Sequence, residues 1–306
     1  MNVRGKKIYV GLSGGVDSAV SAALLKQAEA EVTGVFIKGW YPPNMPCTWA
    51  EERRDAMRVA ARLHIPFRTL DASAEYKKSV IDYLISEYRV GRTPNPDVMC
   101  NREVKFGAFY RYAMTNGADA IATGHYRSGE KDQSYFLWAV PKDILNATIF
   151  PVGDLEKSEV RKLAKKFNLP IAEKKDSQGI CFLGNVSVKE FLEKEFGTDN
   201  PALLYTLGQR VDGGYVVGKD VEKKEIKVSK TLTTLKNAIS FTNENWFSKP
   251  TDVHEAQYRY RGSRIRGRVE KNCFVVEYPL PETPAPGQSV VFYDGAELIG
   301  GGIIEE

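Results

Sequence analysis

From Lys7 onward, short apolar runs alternate with longer segments whose apolar positions recur at helical spacing. Lys7–Leu12, Glu31–Ile37, Pro66–Leu70 and Asp119–Thr123 read as strands, and Val16–Gln27, Thr48–Leu63, Ser73–Tyr88 and Asn101–Thr115 as helices. Thr48 and Glu51 make a capping box at the start of the second helix, and Gly117 stops the fourth. Short strands alternating with longer helices predict an α/β domain with a doubly wound parallel sheet, whose ligands sit at the carboxyl ends of the strands.

After Pro151 the pattern changes. Lys157–Phe167, stopped by Asn168 and Pro170, and Val188–Phe196, ended by Gly197, read as helices standing apart from the sheet. From Tyr215 the runs become short and alternating: Tyr215–Lys219, Glu225–Ser229, Arg264–Val269, Cys273–Tyr278, Ser289–Tyr293 and Leu298–Ile304. They predict a small C-terminal antiparallel β-barrel or sandwich. The expected division is 1–182, 183–213 and 214–306, with the middle part small and mostly helical and a weak linker at Thr198–Pro201.

Composition narrows the class. With 42% hydrophobic and 27% charged residues the 306-residue chain reads as an ordinary globular protein, and it has no apolar run long enough for a membrane span. The first residues carry no signal-peptide pattern, so the expected location is the cytoplasm. Net charge is only +4, yet Lys157–Lys175 holds seven basic residues against two acidic, and Tyr258–Lys271 six against one. Such clusters suit a nucleic acid better than the total charge does. Arg264, Arg266 and Arg268 would share one strand face, and Lys157, Arg161 and Lys165 one helix stripe; a solvated face would look the same. The four cysteines, Cys47, Cys100, Cys181 and Cys273, are too widely spaced for a CxxC pattern, and no metal site is expected.

The chemistry concentrates at Ser13-Gly-Gly-Val-Asp-Ser18, directly after the first strand. A strand, a Gly-rich turn and a helix start aim backbone N–H groups at an anion, but the Gly-Lys-Ser/Thr of a Walker loop is missing. Farther on, Gly91–Arg102 is a Pro-restricted loop presenting Asp97 and Cys100 before a helix, where a thiolate is favoured. Lys174–Phe182 places Cys181 in a second polar, Gly-containing stretch.

The loop residues match the SGGxDS signature of the ATP pyrophosphatases. With Val35–Trp40, Gly91–Phe109, Ala122–Tyr126, Lys131–Leu137, Phe150–Arg161, Lys174–Gly184, Leu207–Arg210 and Pro286–Ile304, the chain resembles the bacterial tRNA-specific 2-thiouridylases along its whole length. The family fold is an adenine nucleotide alpha hydrolase-like sheet with a C-terminal barrel. The resemblance implies ATP-dependent sulfur transfer to C2 of the wobble uridine in tRNAs for Lys, Glu and Gln, with Mg2+ as companion of ATP and a sulfur-donor protein as partner. It assigns ATP to Gly11, Leu12, Ser13, Gly14, Gly15, Val16, Asp17, Ser18, Ile37 and Gly124. It makes Cys100 the nucleophile, Cys181 the persulfide carrier and Asp97 the acid/base, with Asn95, Pro96 and Asp97 at the target base. It brings His125, Lys131, Asp132, Gln133, Arg259, Tyr260 and Gln288 to tRNA. Between Phe182 and Tyr205 the chain is shorter than the family pattern, so the middle tRNA-binding region is reduced. Competing readings are another adenylylating ligase of the same loop class, a non-catalytic RNA-binding protein, and an iron–sulfur site at Asp97, Cys100 and Cys181; the paired cysteines count against the first two.

Overall fold

The computed structural model describes residues 2–42, 49–175, 187–232, 236–250 and 254–305. They divide into two compact units, Met1–Lys77 with Cys100–Asn185 and Lys78–Met99 with Val186–Glu306.

The first unit is built on five parallel strands, β1 Lys7–Gly11, β2 Glu31–Lys38, β3 Phe67–Asp71, β4 Ala120–Ala122 and β5 Thr148–Ile149, in the order β3-β2-β1-β4-β5. The order reverses between β1 and β4, so the segments leaving their carboxyl ends diverge and leave a crevice where such sheets take ligands. On one face Ile8, Val10 and Leu12 pack against helix α1 (Val16–Gln27) through Val16, Ala19 and Val20, and against α2 (Trp49–Leu63) through Ala56, Val59 and Ala60. On the other face Tyr9 meets Tyr112 on the helix Phe109–Thr115.

The helix Lys157–Lys166 does not stand apart from the sheet, contrary to the expectation from its sequence. Its buried Val160 and Ala164, with Leu169 and Ile171 after it, join the same apolar cluster as Ile8 and Val10. Only two of its ten residues are buried, so its strongly polar composition hid this narrow stripe. The fourth helix also starts earlier than read. Helical backbone begins at Pro96–Met99 and runs on through a π-helical stretch, Cys100–Ala108, to Phe109–Thr115.

In the second unit a closed antiparallel barrel has the order β10-β11-β12-β9-β14-β13, from β9 Ala238–Trp246, β10 His254–Gln257, β11 Ile265–Glu270, β12 Cys273–Val276, β13 Ser289–Asp294 and β14 Glu297–Ile304. Its core holds Ile239, Phe241, Phe274, Val290 and Phe292, with Trp246 stacked on Phe292 at 5.0 Å. The runs at Tyr215 and Glu225 are not barrel strands: β7 Gly214–Asp220 and β8 Glu225–Ser229 pair with β6 Arg210–Val211 in a separate three-stranded sheet. The helices Val188–Phe196 and Pro201–Leu204 precede it.

Candidate functional site

The phosphate loop forms because β1 ends in residues that bend. Leu12 donates its N–H to the Val35 carbonyl at 2.8 Å, and Gly14 takes φ +77°, a left-handed turn that L side chains resist. A Cβ at Gly14 would lie 2.4 Å from the Glu52 carbonyl oxygen. Within the loop the Ser18 hydroxyl accepts the Ser13 N–H at 3.2 Å and donates to the Gly15 carbonyl at 3.1 Å, while Gly15 N–H reaches the Ser13 hydroxyl at 3.3 Å. Among the described residues no side chain caps α1 at Gly15, which leaves its first-turn amides available to an anion. Leu12 and Val16 bury their side chains in the core and can meet a ligand only through backbone.

Gly124, leaving β4, closes the other wall. A Cβ there would stand 2.7 Å from Ser18 N and 2.9 Å from the Asp17 carbonyl carbon, so only glycine lets the two crossover segments approach. Ile37 reaches the same end of the sheet, 4.0 Å from where a Gly11 Cβ would be.

Two lysines supply the cation that the loop itself lacks. Lys157 Nζ meets Asp17 at 2.7 Å (Oδ1) and 2.9 Å (Oδ2), and Tyr126 Oη donates to Asp17 Oδ1 at 2.7 Å. Lys174 Nζ donates to the Gly14 carbonyl at 3.1 Å and to Asp55 Oδ2 at 2.8 Å. Local sequence carries no signal for these contacts, because the partners lie from 109 to 160 residues apart in the chain. They also settle the Lys157, Arg161 and Lys165 stripe. Lys157 turns to Asp17, Arg161 donates to the carbonyls of Ala172 and Lys174, and Lys165 pairs with Glu173, so the stripe serves the fold.

Cys100 is a buried thiol at the first residue of the π-helical stretch, an irregularity that recurs at functional sites. Because the helix begins at Pro96, Cys100 lies beyond the first turn, where the dipole has largely faded. Asp97 takes that first-turn position. Beside Cys100, Asn101 is buried, and its amide nitrogen donates to the Phe136 carbonyl at 3.2 Å. Phe106 packs on His125 with centroids 5.3 Å apart, and His125 Nδ1 lies 3.0 Å from the Thr123 hydroxyl. Desolvation, with the Lys105 ammonium second, pushes His125 down to about 3, so it is a neutral imidazole at physiological pH. Cys181, its loop and Cys47 lie outside the described residues.

The remaining residues assigned to tRNA are partly engaged in the fold. Asp132 accepts the Ser134 N–H and hydroxyl at 2.8 and 3.0 Å, and Gln133 Oε1 accepts the Tyr126 N–H at 3.2 Å, with Lys131 preceding them. Gln288 Nε2 donates to the carbonyls of Thr93 (2.8 Å) and Pro94 (3.3 Å), bracing the loop in which Asn95 Oδ1 accepts the Val98 N–H at 3.4 Å, just before Pro96 and Asp97. Arg259 pairs with Glu282 at 2.9 Å beside the half-exposed Tyr260. Of the three clustered barrel arginines, Arg264 stacks 3.7 Å over the Tyr293 ring and pairs with Glu255, and Arg268 pairs with Glu270, leaving a face of mixed charge.

Two family models match the chain. Residues 6–185 match the family model described as the tRNA methyl transferase HUP domain, and residues 236–304 the aminomethyltransferase β-barrel domain. The tRNA-specific 2-thiouridylase MnmA of Streptococcus thermophilus is 38% identical over 359 aligned positions, covering 98% of this chain and 95% of that protein. That of Streptococcus sanguinis is 37% identical with the same coverage. Among solved structures, a 4-thiouridine synthetase–RNA complex with bound ATP is 22% identical with a TM-score of 0.40, over 60% of this chain and 46% of that one.

Proposed function

Since the chain belongs to the tRNA-specific 2-thiouridylase family, we propose that it replaces the C2 oxygen of the wobble uridine in tRNAs for Lys, Glu and Gln with sulfur, in an ATP-dependent reaction. The observation that carries this reading is the phosphate loop itself: open α1 amides, a Gly14 turn and a Gly124 wall with no room for a Cβ, and no lysine within the loop.

The C2 oxygen of uracil is a poor leaving group, and transfer of an adenylyl group from ATP converts it into AMP. The loop amides, with Gly11, Ser13, Gly15 and Ser18, hold the phosphates; Asp17, kept in place by Lys157 and Tyr126, would be the loop's carboxylate for the Mg2+ that accompanies ATP. Ile37 and Gly124 bound the adenine side. Asn95, Pro96 and Asp97 meet the base, with Asp97 moving the N3 proton. Cys181 carries a persulfide from a donor protein. Attack by the Cys100 thiolate on its inner sulfur forms a Cys100–Cys181 disulfide and releases hydrosulfide. Hydrosulfide adds to the activated C2, AMP leaves, and a reductant restores both thiols. Lys131 and Arg259 contact tRNA, with His125 as a neutral partner. Residues 1–182 form the ATP-binding and catalytic part and 236–304 the barrel, with the reduced tRNA-binding region and the three-stranded sheet between them, in a cytoplasmic enzyme.

The nucleotide products test the reading. AMP and pyrophosphate should form one-to-one with modified tRNA; steady ADP formation coupled to modification would overturn it.

A further inference from the structure

A cavity of about 510 Å³ in the second unit is lined by Arg89 and Arg92, by Lys219 and Asp220 at the end of β7, and by Glu222 in the following turn. Its walls are close-packed: Gly91 takes φ +78°, and a Cβ there would come within 2.8 Å of Val221. The charges around it are mostly matched. Arg89 pairs with Glu195, Arg92 with Glu87 at 2.8 Å, and Asp220 with Lys223 at 3.1 Å. Lys219 and the exposed Glu222 carry no ion pair among the described residues, and of the two Lys219 is the one out of water. Its ammonium is buried, 5.6 Å from the Tyr88 ring centroid, with no hydrogen-bond acceptor among the described residues. An ammonium out of water without an anion is costly, and burial draws its pKa down to about 8.

A group with one negative charge and several acceptor oxygens would match this imbalance. The rim is accessible, with Val90 66% exposed, and the β7–β8 hairpin beside it carries exposed Lys223, Lys224, Lys227 and Lys230 against exposed Glu222 and Glu225, a basic excess that suits a polyanion rather than a small free anion. Resting on the tRNA reading above, we propose that this cavity seats a backbone phosphate of the substrate RNA, with Lys219 as its counter-charge and the arginines at its rim.

The pH dependence is specific to Lys219. Around it stand the guanidinium groups of Arg89 and Arg92, the carboxylates of Asp220, Glu222, Glu87 and Glu195, and the Tyr88 phenol, which desolvation holds up at about 12. Lys219, drawn down to about 8, loses charge near that pH, so phosphate affinity falls as pH rises through that value.

The test measures binding of an unmodified tRNA transcript by anisotropy across salt and pH, for wild type, Lys219→Met and Lys219→Arg, with inorganic phosphate as a thermal-shift probe. Lys219→Met should bind tRNA roughly tenfold more weakly at pH 7. It should lower the salt slope by roughly 0.7–0.9 log units and lack the step near pH 8. Lys219→Arg should retain binding and also lose the step. Wild-type binding with both variants unchanged in slope and pH profile would overturn the proposal while leaving the thiouridylase reading intact. A wild type that binds no tRNA would overturn both. Phosphate protection dependent on Lys219, alongside unaltered tRNA binding by Lys219→Met, would reassign the cavity to a free anion.

Discussion

Removing Lys157 should weaken the phosphate loop from outside it. At 2.7–2.9 Å, with Lys157 and Asp17 side chains only 19% and 30% exposed, the pair is neither a surface bridge nor fully buried. At an effective dielectric near 20 the gross attraction is about 6 kcal/mol, and desolvating both groups cancels most of it, leaving a net coupling of about 1.5 kcal/mol. Asp17→Ala strands the ammonium and removes the acceptor of Tyr126, so it should cost about 2 kcal/mol. Lys157→Met leaves Asp17 its Tyr126 bond and should cost about 1 kcal/mol. The double variant should cost about 1.5 kcal/mol, less than the sum, and each kcal/mol should move the thermal midpoint by about 2 °C in a chain of this size. A double-mutant cycle by urea and thermal unfolding measures the coupling, and pyrophosphate release from the same four proteins reads its effect on the site. Strictly additive single effects, or full pyrophosphate release by Lys157→Met, would refute the view that this lysine holds Asp17 for catalysis.

Gly14→Ala should abolish ATP binding with a moderate loss of stability, since it combines a left-handed φ with a clash on backbone; normal nucleotide affinity by calorimetry would contradict the loop geometry. Cys100→Ser and Cys181→Ser should each stop thiolation, while Cys273→Ser stays active. Labelled sulfur should still load on Cys181 in the Cys100 variant, and label on Cys273 would overturn the roles. His125 supplies a pH test. Its folded pKa, about 3, lies below the unfolded 6.5, so the unfolded chain binds the extra proton and stability falls as pH drops from 6.5 toward 3. His125→Gln should flatten that slope by up to about 1.4 kcal/mol per pH unit, and an unchanged slope would show that the imidazole protonates freely in the fold.

How much of this was legible in the chain depended on how local the cause was. The helix Val16–Gln27 and the strand Glu225–Ser229 have the bounds read from the chain, because each is set by its own local sequence. The loop could be read for the same reason: glycines and hydroxyls needed at one turn stand side by side. Strand β9 gave no such signal. Asn243 takes φ +51° and the pairing with β14 shifts between Gly301 and Ile303, so the alternation of Ile239 and Phe241 breaks into a polar run. β10 is short and half polar, with only His254 and Ala256 buried. Lys157 and Lys174 were visible as charges, but their partners Asp17, Gly14 and Asp55 are set by helix packing on the sheet, which no local pattern encodes. Gln288, assigned to tRNA by family position, also braces the Thr93–Pro94 loop, a contact that no local pattern encodes.

The most direct test of the central claim is mass spectrometry of nucleosides from unmodified tRNA incubated with the protein, Mg-ATP and a sulfide source. The account predicts 2-thiouridine at the wobble position, dependent on ATP and absent with Asp17→Ala or Cys100→Ser. Unchanged uridine with a protein shown to bind both ATP and tRNA, or thiolation that persists without ATP, would contradict it.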